Sequence, residues 1–282
     1  MHLDKLSLED IQHEMLGVLE QFHELCERNN LQYVLAYGTL IGAIRHNGFI
    51  PWDDDVDVWM PRADYDRLHD MYENKSEHLA PYKLCTQGNT LGYPFYIPRF
   101  SNMKFRFISE TPGVEDFDIG VFLDIYPIDD FAISIKKTEK CAKKIDKRNK
   151  IYAVYASKNE YSNAISSSIR KVISSVLHFF YGENFSKINL KKIKKIMNKY
   201  TTPNSEYVGV ICWGDSPVAH KRKDIFSDGK MIRSVHEFQG KLFYVPKNYD
   251  QILRNSYGDY MKLPPIEQRN AYHGYSIEVR KG

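Results

Sequence analysis

Four aspartates occupy five positions, Asp53, Asp54, Asp55 and Asp57, inside the stretch YGTLIGAIRHNGFIPWDDDVDVWMPRADYDR that runs from Tyr37 to Arg67. The order Asp55-Val56-Asp57-Val58-Trp59 alternates charge with apolar bulk. As a strand, it puts both carboxylates on one face and both valines into the core. Two carboxylates about 7 Å apart at Cα repel each other unless a cation lies between them. Hard divalent cations take such oxygen ligands, and Mg²⁺ (or Mn²⁺) combines one or two carboxylates with phosphate oxygens and water. A solvated acidic turn is the alternative; the flanking Pro51-Trp52 and Val58-Trp59-Met60 weigh against full exposure. A second apolar run, Val121–Pro127 (VFLDIYP), carries the single carboxylate of Asp124. A carboxylate in such a run is costly to bury without a partner. A metal shared with Asp55 and Asp57 would supply one, and a cap on the following Pro127–Asp130 turn is the other use open to it.

The neighbouring elements have to position these groups. Leu8, Ile11, Met15, Val18, Leu19, Phe22 and Leu25 follow helical spacing within residues 6–29, with Ser7 and Asp10 placed as a capping box. Tyr33–Tyr37 reads as a short strand, Gly38-Thr39 as a turn and Leu40–Arg45 as a short helix. A helix start presents unpaired N–H groups and partial positive charge, so Gly38 and Thr39 are candidates to hold phosphate oxygens. Arg45 is a candidate bidentate clamp on the same phosphates. Ala63–Glu73 reads as a helix, and Tyr82–Thr86, Tyr93–Ile97 and Phe105–Ile108 as strands. Near the other end, Phe238–Val245 reads as a strand pair around Gly240. Pro246–Tyr257 reads as a helix closed by Gly258, and the Tyr260–His273 tail as an irregular wrap over the site carrying Arg269 and His273.

The 282 residues carry a net charge of +3, which hides an asymmetry. Residues 136–200 hold 17 Lys/Arg against 4 Asp/Glu, a local +13, and the remainder carries −10. Lys136–Tyr155, Ile165–Tyr181 and Ile188–Tyr200 read as helices; such basic amphipathic segments suit an anionic membrane surface or a polyanion, or pack on the core with their lysines solvated. Four scattered cysteines, Cys26, Cys85, Cys141 and Cys212, contain no C-x-x-C and signal neither zinc nor a disulfide framework. No apolar h-region opens the chain and no apolar run reaches about 18 residues, so a cytoplasmic protein is expected, peripheral at the inner membrane face if it meets a membrane at all.

A glycine turn, a short helix, an Asp-x-Asp strand and a later strand with one Asp together resemble the nucleotidyltransferase constellation. More narrowly, YGTLIGAIRHNGFIPWDDDVDVWMPRADYDRL, VFLDIYPIDDF and FQGKLFYVPKNYDQILRNSYGDYMKLPPIEQR resemble three blocks, in order, of the LicD family of phosphotransferases, which includes fukutin-related proteins. The resemblance spans residues 10–130 and 205–275. It implies an α/β (α+β) nucleotidyltransferase-like core, a mixed sheet flanked by helices, split into residues 1–135 and 205–282 around a basic helical insertion at 136–204. It also implies transfer of a phosphoalcohol, phosphocholine above all, from a CDP-alcohol donor to a sugar hydroxyl of a surface glycan such as teichoic acid or lipopolysaccharide, lipid-linked acceptors included. CMP would be released, and no nucleic acid is expected.

On this reading Asp55, Asp57 and Asp124 hold the metal that bridges the donor pyrophosphate. Of Asp53 and Asp54, one is a supporting or base residue and the other a turn residue; His46 and His273 are candidate substrate contacts. Trp52, with Trp59, Tyr93 and Tyr96, could offer ring faces to a quaternary ammonium. The rival readings are a nucleotidyltransferase acting on RNA or a small molecule, a metal-dependent glycosyltransferase and a non-enzymatic scaffold.

Overall fold

The computed structural model describes residues 5–74, 79–90, 92–110, 117–156, 165–214, 217–269 and 274–280. The chain opens with α1 (Leu8–Arg28), β1 (Val34–Leu35), α2 (Tyr37–His46), β2 (Asp57–Pro61) and α3 (Arg62–Glu73). Strands β3 (Tyr82–Cys85), β4 (Arg99–Asn102), β5 (Phe105–Ser109) and β6 (Val121–Asp130) follow. Next come the helices α4 (Ile135–Ala156), α5 (Ile165–Tyr181) and α6 (Phe185–Tyr200). The chain then forms β7 (Tyr207–Gly209), β8 (His220–Lys221), α7 (Arg222–Ile225), β9 (Phe226–Ser227) and β10 (Lys230–Met231). It ends with the hairpin β11 (Arg233–Phe238) and β12 (Lys241–Pro246), α8 (Tyr249–Tyr257) and β13 (Tyr275–Val279).

The central sheet runs β1-β2-β6-β4-β3, with β7 and β8 added beyond the end of β6. Among the described residues its one parallel pair, β2 with β6, lies in the middle and the other pairs are antiparallel. This is the α+β mixed sheet expected. Side-chain alternation divides its two faces. Val58 and Met60 enter the larger core with Met15, Leu19 and Phe22 of α1, while Trp59, Tyr126 and Ile128 enter a second core. Cys141 and Ile145 of α4 and Ile193 and Met197 of α6 close that second core, so the basic helices are seated on the sheet. Asp57 and Asp124 share the parity of Trp59 and Tyr126, which aims both carboxylates at the helix-covered face.

Helix α1 begins with a reciprocal capping box: the Ser7 hydroxyl accepts the Asp10 N–H at 3.1 Å, and the Asp10 carboxylate accepts the Ser7 N–H at 3.2 Å. Several expectations are corrected. Gly38 and Thr39, expected in a turn before the helix, lie in the first turn of α2, which begins at Tyr37. Tyr93–Ile97 is irregular, and the strand is Arg99–Asn102 instead; Pro94 and Pro98 remove N–H donors that a ladder needs. The Val121 strand does not turn at Pro127 but runs on to Asp130, with Pro127 opposite Met60. Asp129 is held there by a two-pronged ion pair to Arg62, at 2.6 and 2.9 Å. Finally, a strand at Tyr275–Val279, not foreseen, pairs antiparallel with β5.

Helix α2 lies close against the segment that leads into the aspartates. A Cβ at Gly42 would sit 2.4 Å from the Gly48 carbonyl oxygen and 3.2 Å from the Ile50 nitrogen, whereas one at Gly17 in α1 would meet nothing within 4 Å. The two glycines therefore predict opposite outcomes. Gly42→Ala should lower stability by about 1–3 kcal/mol through overpacking. Gly17→Ala should raise it by about 0.5–1 kcal/mol through helix propensity. Urea unfolding of the two variants checks both signs.

Candidate active site

Strands β2 and β6 pair so that Asp57 stands opposite Asp124. The backbone around them is fastened on all sides. The Asp124 N–H donates to the Val56 carbonyl at 2.8 Å, the Ala36 N–H to the Asp57 carbonyl at 3.0 Å, and the Asp57 N–H to the Thr39 hydroxyl at 2.9 Å. Through Thr39 and Ala36, the start of α2 is pinned to the aspartate strand. Asp55 lies in the extended segment just before β2 rather than in the strand.

Asp57 is 6% exposed, and its Oδ1 has no hydrogen-bond partner. Burial raises its pKa well above the usual carboxylate range; the charges of Asp55, Asp124 and Asp53 raise it further and Arg99 opposes them. Asp124 is held by Arg99 through two hydrogen bonds, Nε to Oδ1 at 2.7 Å and Nη2 to Oδ2 at 3.3 Å. The Arg99 guanidinium lies 3.9 Å from the Phe122 ring centroid and 4.7 Å from that of Phe95. Burial works against its charge, but Asp124 prevails and lifts its pKa above the ordinary arginine value.

Other groups converge on the cluster. The Asp53 carboxylate packs against Gly38 so closely that a Cβ there would lie 2.7 Å from Oδ2, and the Gln12 amide donates to the Asp53 carbonyl at 2.7 Å. Asp54 is buried, and its carbonyl accepts the Tyr275 hydroxyl. Tyr257, the last residue of α8, faces the aspartates from the rim: burial raises its phenol pKa, and Asp57, Asp55 and Asp53 add to the shift. On the far side, Tyr37 makes edge contacts with Trp59 at 5.4 Å and Tyr126 at 5.1 Å, and Tyr126 does so with the exposed Trp213 at 5.8 Å. The Tyr37 and Tyr126 phenols are both shifted upward by burial and then by Asp57.

Arg45, His46 and Arg269 form a cationic corner beside Trp52. Arg45 donates to the Tyr260 carbonyl at 2.5 Å and to His46 Nδ1 at 3.4 Å. Burial lowers its pKa, and the nearby positive charge of Arg269 adds to the fall. Burial also lowers the His46 pKa, and Arg45 lowers it further. The Arg269 guanidinium lies 5.4 Å from the Trp52 ring centroid and donates to the Pro264 carbonyl at 3.0 Å. Trp52, Arg45, His46 and Arg269 thus come together from distant parts of the chain. His273 lies outside the described residues. Trp59, Tyr93 and Tyr96 do not join Trp52 in a box: Tyr93 is fully buried against Phe95 and Phe117, Trp59 packs on Tyr37 and His220, and Tyr96 neighbours Arg62.

The chemistry of the carboxylate donors suits a hard divalent cation, but Asp55, Asp57 and Asp124 do not bring three ligand oxygens within 4.8 Å of one another, and Arg99 occupies both oxygens of Asp124. An orphaned, buried Asp57 oxygen is surrounded by the charges of Asp53, Asp55 and Asp124 with Arg99 as the opposing cation, and all donors are carboxylate oxygens. Among the described residues, the three ligand atoms that do lie within 4.8 Å of one another are those of His69, Asp70 and Glu73 on α3, a mostly exposed group that a 3.6 Å pair between His69 and Glu73 at i, i+4 accounts for.

Comparison with known proteins bears on this geometry. The family described as LicD/FKTN/FKRP, nucleotidyltransferase domain, matches residues 30–112. The lipopolysaccharide cholinephosphotransferase LicD of Haemophilus influenzae is 33% identical over 276 residues, 96% of this chain and 97% of that protein. The chain belongs to the LicD family. Uncharacterised proteins of Rickettsia prowazekii and Rickettsia typhi are each 45% identical over 47 residues, which is 17% of this chain and 18% and 15% of theirs. The LicD nucleotidyltransferase match takes in Gly38, Asp53 to Asp57 and Arg99. It stops short of Asp124 and Tyr257, which enter the site through β6 and α8.

Arg99 and Tyr257 are the groups that sequence reasoning passed over as site residues. Arg99 was legible only as a positive charge near the acidic strand, and Tyr257 is one of 20 tyrosines with nothing in its spacing to single it out.

The burial of Asp57 has a measurable consequence. Its carboxyl binds a proton more tightly folded than unfolded, so ionisation opposes folding once the pH exceeds the ordinary value of about 4. Without divalent cations, Asp57→Asn should melt at a higher temperature than the parent chain at neutral pH. The difference should shrink as pH falls towards about 4 and vanish below it, where the parent carboxyl is protonated in both states. An equal or lower melting temperature at neutral pH would mean that the Asp57 charge is fully compensated.

Proposed function

We propose that the chain transfers phosphocholine from a CDP-linked donor to a sugar hydroxyl of a cell-surface glycan, lipopolysaccharide or teichoic acid, with release of CMP. The observation that carries this reading is the end-to-end likeness to the Haemophilus lipopolysaccharide cholinephosphotransferase. The buried carboxylates supply chemistry in keeping with it. Asp55, Asp57 and Asp124 would hold Mg²⁺ (or Mn²⁺), which when bound neutralises charge on the donor phosphates. The acceptor oxygen forms its bond to the phosphorus bearing the alcohol as the bridging pyrophosphate bond breaks. CMP leaves with that electron pair, and the hydroxyl proton passes to a carboxylate of the cluster.

Each residue then has a task. Arg45 and Arg269 form a cationic corner for donor phosphates, with His46 beside it. Gly38 and Thr39 bring the start of α2 to the aspartates, and Thr39 holds Asp57 in place. Arg99 fixes the Asp124 carboxylate and leaves it the least available of the four acidic groups for proton transfer. Trp213, Tyr126 and Tyr37 line the Asp57 side with ring faces and edges, a surface suited to a quaternary ammonium.

A thermal-shift panel tests the donor class: CDP-choline, CDP-ribitol, CDP-glycerol, CDP-ethanolamine, UDP-sugars and ATP, each with and without Mg²⁺. At a ligand concentration 100 times Kd, binding adds about 2.7 kcal/mol to stability. CDP-choline with Mg²⁺ should raise the melting temperature, and Asp57→Asn should abolish the rise. A rise confined to another CDP-alcohol would change the transferred group. One confined to UDP-sugars or ATP would replace the reading with a glycosyltransferase or a nucleotidyltransferase.

A further inference from the structure

Helix α5 is amphipathic the wrong way round for a surface helix. Ser174 is 2% exposed, Leu177 packs on the cluster of Tyr152, Tyr155 and Phe185, and the His178 ring stacks on Tyr155 at 4.2 Å. Small and polar groups therefore contribute to the side facing the protein. Val172, Ile173, Val176, Phe179 and Phe180, spaced as one helical face, are 63%, 45%, 47%, 84% and 71% exposed. A soluble surface helix has the reverse arrangement, and a monomer rarely leaves so continuous an apolar strip uncovered.

The helices that α5 packs on are cationic. Exposed lysines on the adjacent helices include Lys140, Lys143 and Lys147 of α4 and Lys191, Lys195 and Lys199 of α6. Ile165–Tyr181 contains no Asp or Glu, and residues 136–200 together carry +13. At 17 residues α5 is too short to span a bilayer, and no helix among the described residues is long and apolar enough to do so.

We propose that α5 lies in the plane of an anionic lipid bilayer, with Phe179 and Phe180 among the acyl chains and the lysines of α4 and α6 against the headgroups. Aromatic and aliphatic insertion beside a lysine-rich surface is how interfacial helices bind. A phosphate polymer would satisfy the lysines and leave the phenylalanines in water. A second copy docked on this face would bring two bodies of +13 together, so charge disfavours it.

Flotation of the full chain with vesicles tests the proposal. It should float with an equimolar phosphatidylcholine–phosphatidylglycerol mixture and not with phosphatidylcholine alone, and added salt should weaken the binding. The double variant Phe179→Ser/Phe180→Ser should partition about tenfold more weakly or worse, since it removes inserted apolar surface. Its melting temperature should stay unchanged because both rings are exposed. No flotation with the mixed vesicles at any salt, or unaltered flotation of the double variant, would overturn the proposal. So would a dimer, in place of vesicle binding, that the double variant abolishes. The double variant should keep the CDP-choline thermal shift of the parent, so the membrane and donor readings can fail separately.

Discussion

Two carboxylates side by side on the parallel strand pair of the central sheet set the terms for the rest of this structure. Asp57 and Asp124 cannot move apart without breaking the register of β2 and β6, and the strands are buried on both faces. A buried like-charge pair is tolerated only where something answers the charge. Arg99 answers half of it. Its fork is matched to Asp124, and its flat faces lie among aromatic rings, an arrangement that a lysine could not reproduce. Asp57 is left with an unpartnered oxygen in an acidic surround. The fold thus concentrates destabilising charge at one point, which is what a site for a cation and phosphates requires.

The remaining elements act to keep that point from relaxing. Helix α2 is tied to the aspartate strand at both Ala36 and Thr39, and Gly42 lets it lie against the Gly48–Ile50 segment. Gln12 of α1 holds the Asp53 carbonyl, and Tyr275 of β13 holds that of Asp54. These bonds come from both ends of the chain, so the acidic loop is fixed by residues more than two hundred positions apart. Positive charge is kept to the edge, where Arg45 and Arg269 lie close to each other with backbone carbonyls as their neighbours.

What could be read in the sequence follows from this. Asp57 and Asp124 stand out because each is a charge inside an apolar run. Helix α1 announces itself through its capping box and its periodic face. Other features leave no local trace. Arg99 follows Pro98 in a segment without alternation, and its partner lies 25 residues on. Strand β13 exists because β5 offers it an edge, and that is a tertiary fact. The apolar face of α5 is periodic whether it meets a core or not. Spacing fixes which residues share a side of a helix and says nothing of which side the rest of the molecule covers.

The uneven charge of the chain connects the two ends of its function as proposed. Residues 136–200 carry +13 and the remainder of the chain −10. At an anionic surface such a body has a preferred orientation, because the basic helices are drawn in while the acidic part is pushed away. The fields that favour that orientation would, without a cation, repel a doubly phosphorylated donor from the aspartates. A divalent ion bound there would reverse the sign locally, over distances shorter than the screening length of about 8 Å, and leave the long-range field of the basic helices intact. Docking and catalysis can then draw on opposite charges in one small protein because they operate at different ranges.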